Sequence, residues 1–150
     1  MCSVMIALKR LVMPMALLLS TQVFAQPTGL WNTEDQKAQV EVSHCGDKLC
    51  GELVWLAEPL DSAGLAKHDQ KNPDQLLRAR PLLGLRILWD MTADSDGVTW
   101  KGGKVYDPDS GKTYQGKITL SSENVLELRG FVGAPIFGRT STWTRAKTPQ

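Results

Sequence analysis

The stretch GVTWKGGKVYDPDSGKTYQGKITL, residues 97–120, decides the fold class. Two runs rich in Val, Thr, Trp, Tyr and Ile flank Asp107-Pro108-Asp109-Ser110-Gly111, whose residues are those of a β-turn. Pro presets the backbone, Asp and Ser close the turn through their side chains, and Gly accepts the left-handed position. The reading is strand, turn, strand over 97–106 and 113–120. Tyr114, Ile118 and Leu120 fall on one face of the second strand, so that strand buries one side only. Asp107 also begins a spacing found in calcium loops, but Ile118 stands where the bidentate Glu is needed, so the turn is the better account.

The same cadence continues in both directions. Short apolar and β-branched runs separated by Gly, Asp, Asn and Pro give further strands at 39–43, 49–56, 85–90, 125–132 and 139–145, with a first one opening near Trp31. Leu85, Ile87 and Trp89 alternate onto one face. Eight strands of this kind predict an all-β fold, a small antiparallel barrel or sandwich. The exception is 57–84, a long polar stretch in which Asn72-Pro73-Asp74 reads as a turn ending in a helix cap and 75–80 as a short helix stopped by Pro81. Loops of that length are uncommon unless they bind or cover something, which favours a lid or barrel plug.

The N-terminus reads as an export signal. Lys9 and Arg10 precede the apolar run 11–19, and Val23-Phe24-Ala25 supplies a small-x-small cleavage pattern. The run is short for a membrane span and Pro14 interrupts it, so cleavage after Ala25 is expected, taking Cys2 with it. The domains are then a signal peptide at 1–25 and one barrel domain at 26–150, working in a periplasmic or secreted, oxidising space. Of the 150 residues, 125 remain after the signal, a usual size for one core. Without Lys9 and Arg10, 15 Lys and Arg face 16 Asp and Glu, a balance that argues against a nucleic-acid partner. No second apolar stretch approaches membrane-spanning length.

Cys45 and Cys50 flank Gly46-Asp47-Lys48, turn residues between two strand-like runs, which brings the sulfurs across a hairpin. A structural disulfide is the favoured reading. Zinc is the rival; it would need His44 and His68 as further ligands and lacks paired C-x-x-C spacing.

Motifs for chemistry are sparse. The chain has no G-x-S-x-G elbow, no H-E-x-x-H and no phosphate-cradling glycine loop, and no enzyme activity, cofactor or metal is expected. Arg78 and Arg80, with Asp69 and Asp74, form a polar cluster in the long loop: either ion pairs tying the loop to the barrel, or a clamp for an anionic head group. Trp55, Trp89, Trp100, Trp143 and Tyr114 all fall on expected strands. An eight-stranded barrel is either filled or just wide enough for one small ligand, so these aromatics form a packed core or line a narrow pocket. The candidate ligand-binding set is Trp55, Ile87, Trp89, Trp100, Tyr114, Arg78 and Arg80.

Four stretches carry a family resemblance: Gly29-Leu30-Trp31; Asn72-Pro73-Asp74 with Leu77-Arg78-Ala79-Arg80-Pro81-Leu82-Leu83-Gly84-Leu85; Tyr106 through Tyr114; and Gly138-Arg139-Thr140 with Thr142-Trp143. Together the chain resembles the exported bacterial family known as domain of unknown function 2147, over essentially all of the expected mature protein. The resemblance implies a small lipocalin-like barrel with one long loop carrying a short helix, and brings no established reaction. In lipocalins a G-x-W closes one barrel end with the Trp under a late-strand Arg, for which Arg139 and Arg145 are the candidates. Gly29, Trp31, Cys45, Cys50, Asn72, Asp74 and Arg139 are accordingly assigned structural roles. Functionally, the expectation is non-covalent binding of a small apolar or amphipathic ligand. The alternatives are a filled barrel acting as an envelope interaction module, with Arg78, Arg80 and the Asp107 turn as contact surface, and an unrecognised hydrolase using Asp69, Asp74 or Asp107.

Overall fold

The computed structural model of the chain describes residues 26–147, so the expected signal at 1–25 lies outside the described residues. Eight antiparallel strands close into a barrel in sequence order: β1 (Gly29–Asn32), β2 (Ala38–Cys45), β3 (Lys48–Leu56), β4 (Arg86–Ala93), β5 (Thr99–Asp107), β6 (Lys112–Ser122), β7 (Val125–Phe131) and β8 (Arg139–Arg145), with β8 returning to β1 through Trp31–Arg145 and Asn32–Thr144. Every expected strand is present. Up-and-down connection fixes what lies at each end. The β2–β3, β4–β5 and β6–β7 turns share one end; the β1–β2 turn, the long 57–85 connection, the β5–β6 turn and the β7–β8 turn share the other.

The first of these ends is sealed. Trp31 is fully buried and its indole N–H donates to the Pro27 carbonyl at 2.8 Å, which draws the N-terminal segment across the barrel. The guanidinium of Arg145 lies 4.2 Å over the Trp31 ring and donates to the carbonyls of Gln26 (2.7 Å), Thr28 (2.9 Å) and Glu123 (2.6 Å). The late-strand arginine over the tryptophan is therefore Arg145 and not Arg139, which sits at the opposite end of β8. Register decides between them, because only Arg145 pairs with Trp31 across the β1–β8 seam. Gly29 is obligatory beside them: its φ is +115°, and a Cβ there would stand 3.0 Å from the Arg145 guanidinium. At the same end Cys45 and Cys50 form a disulfide across the β2–β3 hairpin, with a Cα–Cα distance of 5.9 Å. His44 is exposed on that hairpin while His68 lies in the long connection, so the two histidines do not meet at the cysteines.

Strand β4 departs from simple alternation. Glu52 pairs with Arg86, Gly51 with Leu88 and Leu49 with Met91, so β4 carries one extra residue at each step, and Asp90 takes a left-handed φ of 60°. Ile87 and Leu88 are both buried in consequence, Met91 is fully buried, and Trp89, expected to share the inner face with Leu85 and Ile87, is half-exposed opposite the exposed Lys104. Met91 fills the closed-end half of the barrel. Its side chain lies where Gly103 and Gly116 lack a Cβ, and Leu88 lies likewise against Gly51. With Val40, Val42, Leu49, Trp100, Ile118, Leu120 and Leu126 they make a dense apolar plug.

The 57–85 connection is ordered by its own hydrogen bonds. The N–H of Asp69 donates to the Arg80 carbonyl and that of Leu82 to the Lys67 carbonyl, both at about 3 Å, and the Gly84 N–H donates to Leu53 of β3 at 2.7 Å. The expected short helix is one 3₁₀ turn, Gln75–Leu77, capped as foreseen by the Asp74 carboxylate on the Leu76 N–H. It contains no buried residue, so nothing favours its extension.

Candidate functional site

Above the Met91 plug the barrel mouth is half open. A cavity of about 430 Å³ opens at the end opposite Trp31, near the lower limit of roughly 300–1,000 Å³ usual for ligand pockets. Its depth is apolar: Leu53 of β3, Ile87 of β4, Val105 of β5, Leu128 of β7 and Trp143 of β8 contribute inward side chains, with Leu82 from the long connection. Its rim is charged, with Glu34, Asp35 and Lys37 from the β1–β2 turn, Glu58 and Lys67 from the long connection, Asp107 and Asp109 from the β5–β6 turn, and Arg139 from β8. Several of these are already engaged. Lys37 is 3.7 Å from Asp35, Lys67 is 3.3 Å from Glu58, and the Asp107 carboxylate accepts the Asp109 N–H at 3.0 Å and the Ser110 hydroxyl at 2.6 Å within its own turn.

The long connection is fastened beside this opening by one buried carboxylate. Asp69 is fully buried and accepts from the Tyr106 hydroxyl (2.5 Å), Asn72 Nδ2 (2.8 Å) and Arg80 (2.8 Å). Burial alone would push its pKa up, but the Tyr106, Arg80 and Asn72 hydrogen bonds together hold it below the ordinary 3.8. Burial and the neighbouring Asp69 push the Tyr106 phenol up to about 12. Arg78 donates to the Asn72 carbonyl at 2.7 Å, and Lys71 reaches the Asp109 carbonyl while its own carbonyl occupies the space where Gly111 has no Cβ. The Asn72-Pro73-Asp74 stretch and the Tyr106-to-Gly111 turn thus fold directly against each other.

Of the sequence-derived binding set, only Ile87 lines the cavity. Trp100 belongs to the filled closed-end half, paired with Ile118 and Ala93; Trp55, Trp89 and Tyr114 are half-buried and outside the lining; Arg78 and Arg80 hold the loop rather than face the opening. Cavity residues that sequence reasoning missed are Leu53, Val105, Leu128 and Arg139, together with Trp143, which was placed only among the barrel aromatics. The alternation of Arg139, Ser141 and Trp143 along β8 was the available signal, since positions two apart share a face.

Comparison with known proteins agrees with this architecture. Residues 29–145 match the family described as "Uncharacterized protein conserved in bacteria (DUF2147)". A solved structure, protein HP1028 from the human pathogen Helicobacter pylori, described as belonging to the lipocalin family, is similar with a TM-score of 0.72 and 26% identity, over 82% of this chain and 84% of that one. No curated protein matches the sequence.

Proposed function

Since the chain belongs to the DUF2147 family, which brings a lipocalin-like barrel but no assigned reaction, we propose that it is an exported, non-catalytic binding protein for a small apolar or amphipathic molecule. The observation that carries this reading is the division of the barrel: a filled half under Trp31 and an apolar, open cavity of about 430 Å³ above it. A ligand tail entering there removes apolar area from water, worth about 25 cal/mol per Å², against the cost of immobilising the ligand and rim side chains. The small volume restricts the ligand to one slender tail. The paired Lys37 and Lys67 and the docked loop leave the rim polar while the depth is apolar, an arrangement suited to a molecule with one polar end.

Native mass spectrometry of the mature protein, purified without detergent from the periplasm and followed by organic extraction, tests the proposal. A defined added mass lost on extraction is the expected result. A clean apo mass, with Trp emission unmoved by apolar probes, would replace it with the interaction-module reading.

A further inference from the structure

Resting on the binding reading above, we infer that Arg139 and Ser141 form the head-group subsite of the cavity, and that its ligand is a singly charged carboxylate with one apolar tail. Arg139, Ser141 and Trp143 lie two residues apart on β8, and all three line the cavity from rim to depth. Arg139 is exposed and, among the described residues, its side chain has no hydrogen bond or ion pair, whereas Lys37 and Lys67 on the same rim are paired with Asp35 and Glu58. Across the sheet its register partner is Gly130, which has no side chain to occupy or neutralise the guanidinium. Ser141 accepts the Trp143 indole N–H at 3.1 Å on one lone pair, and its hydroxyl hydrogen is left to donate.

The subsite therefore presents the Arg139 guanidinium and the Ser141 hydroxyl as donors. A planar fork plus a hydroxyl matches an acceptor-only group, a carboxylate or a phosphate. Charge separates these two. The rim carries Glu34, Asp35, Glu58, Asp107 and Asp109 against Lys37, Lys67 and Arg139, an acidic excess that penalises each negative charge on the ligand and therefore a doubly charged phosphate more than a carboxylate held by Arg139. Trp143 at 3% exposure and Leu128 at 6% then lie deeper in the cavity to receive the tail.

The test compares decanoate, decanol and decyl phosphate by calorimetry on the mature protein, with Arg139→Gln, Arg139→Lys and Arg78→Gln variants. The expected result is decanoate bound about tenfold or more tighter than decanol, a ratio falling toward one in Arg139→Gln, intermediate in Arg139→Lys and retained in Arg78→Gln. Decyl phosphate should bind more weakly than decanoate. A decanoate-to-decanol ratio near one in the wild type, or one that survives Arg139→Gln, overturns the subsite while leaving the cavity reading intact. Decyl phosphate binding as tightly as decanoate overturns the carboxylate assignment. Failure of all three probes to bind overturns the cavity reading and the subsite with it. Because Arg139 is exposed and unpaired, its variants should melt with the wild type, so a binding change is not a folding change.

Discussion

The hydroxyl of Tyr106 on β5 donates at 2.5 Å to the fully buried carboxylate of Asp69, and this bond fastens the long connection to the barrel. Asn72 and Arg80 complete the carboxylate's shell, so the members of the site depend on one another, although the buried Nε of Arg80 has no hydrogen-bond partner among the described residues.

Removing either partner should be costly, and unequally so. Tyr106→Phe loses one hydrogen bond to a charged group, about 1.5–3 kcal/mol, whereas Asp69→Ala strands Arg80 and the phenol and should cost about 3–5 kcal/mol. Urea unfolding of the two variants checks the order. A double variant costing much less than the sum would show the coupling.

The same pair predicts stability at both pH extremes. Asp69 titrates below its ordinary value when folded, so its contribution is complete above pH 3.8 and is lost as pH falls through the lower folded value. Tyr106 titrates at about 12 instead of 10.0, so its contribution is complete below pH 10 and lost as pH rises through about 12. Thermal melts across pH should show an alkaline loss between these values that Tyr106→Phe lacks.

The two β8 arginines, Arg145 at the sealed end and Arg139 at the open end, should behave oppositely. Arg145→Ala removes three carbonyl contacts and the stacking on Trp31, and should cost about 2–4 kcal/mol. Arg139→Ala should fall within about 0.5 kcal/mol of wild type. Equal melting temperatures for the two would contradict the assignment of Arg145 as the barrel's cap.

The glycines facing Met91 give a steric prediction. Gly116→Ala meets only the flexible end of Met91 and should cost about 1–3 kcal/mol, much of it recovered in a Gly116→Ala, Met91→Ala pair relative to Met91→Ala alone. Gly103→Ala also meets the Trp89 carbonyl and the Met91 backbone nitrogen, which truncating Met91 cannot relieve. Denaturant midpoints of the four variants distinguish the two positions.

Breaking the Cys45–Cys50 disulfide by a Cys45→Ser, Cys50→Ser double change should lower stability by about 2 kcal/mol, the loop-closure value for so short a ring. Thiol titration of the unreduced wild-type residues 26–150 should find none free. One or two reactive thiols would show that the bridge does not form in the isolated protein.

Local signals determined the strands and the turns, because alternation and turn residues act over a few positions. The Asp107 turn, the Asp74 cap, the Cys45–Cys50 hairpin and all eight strands were legible in that way. Whether the barrel was filled or hollow was not, because both β4 bulges are set by pairing with β3, and they move Leu88 and Met91 inward while turning Trp89 out. Closure decided the rest. Only the β1–β8 seam tells Arg145 from Arg139, and only the docking of the long connection shows that Arg78 and Arg80 serve the loop while Arg139 faces the cavity. Contacts between residues distant in the chain leave no local periodicity, so the local sequence determined an all-β set of strands, the family resemblance implied their closure into a barrel, and tertiary packing determined where it is open.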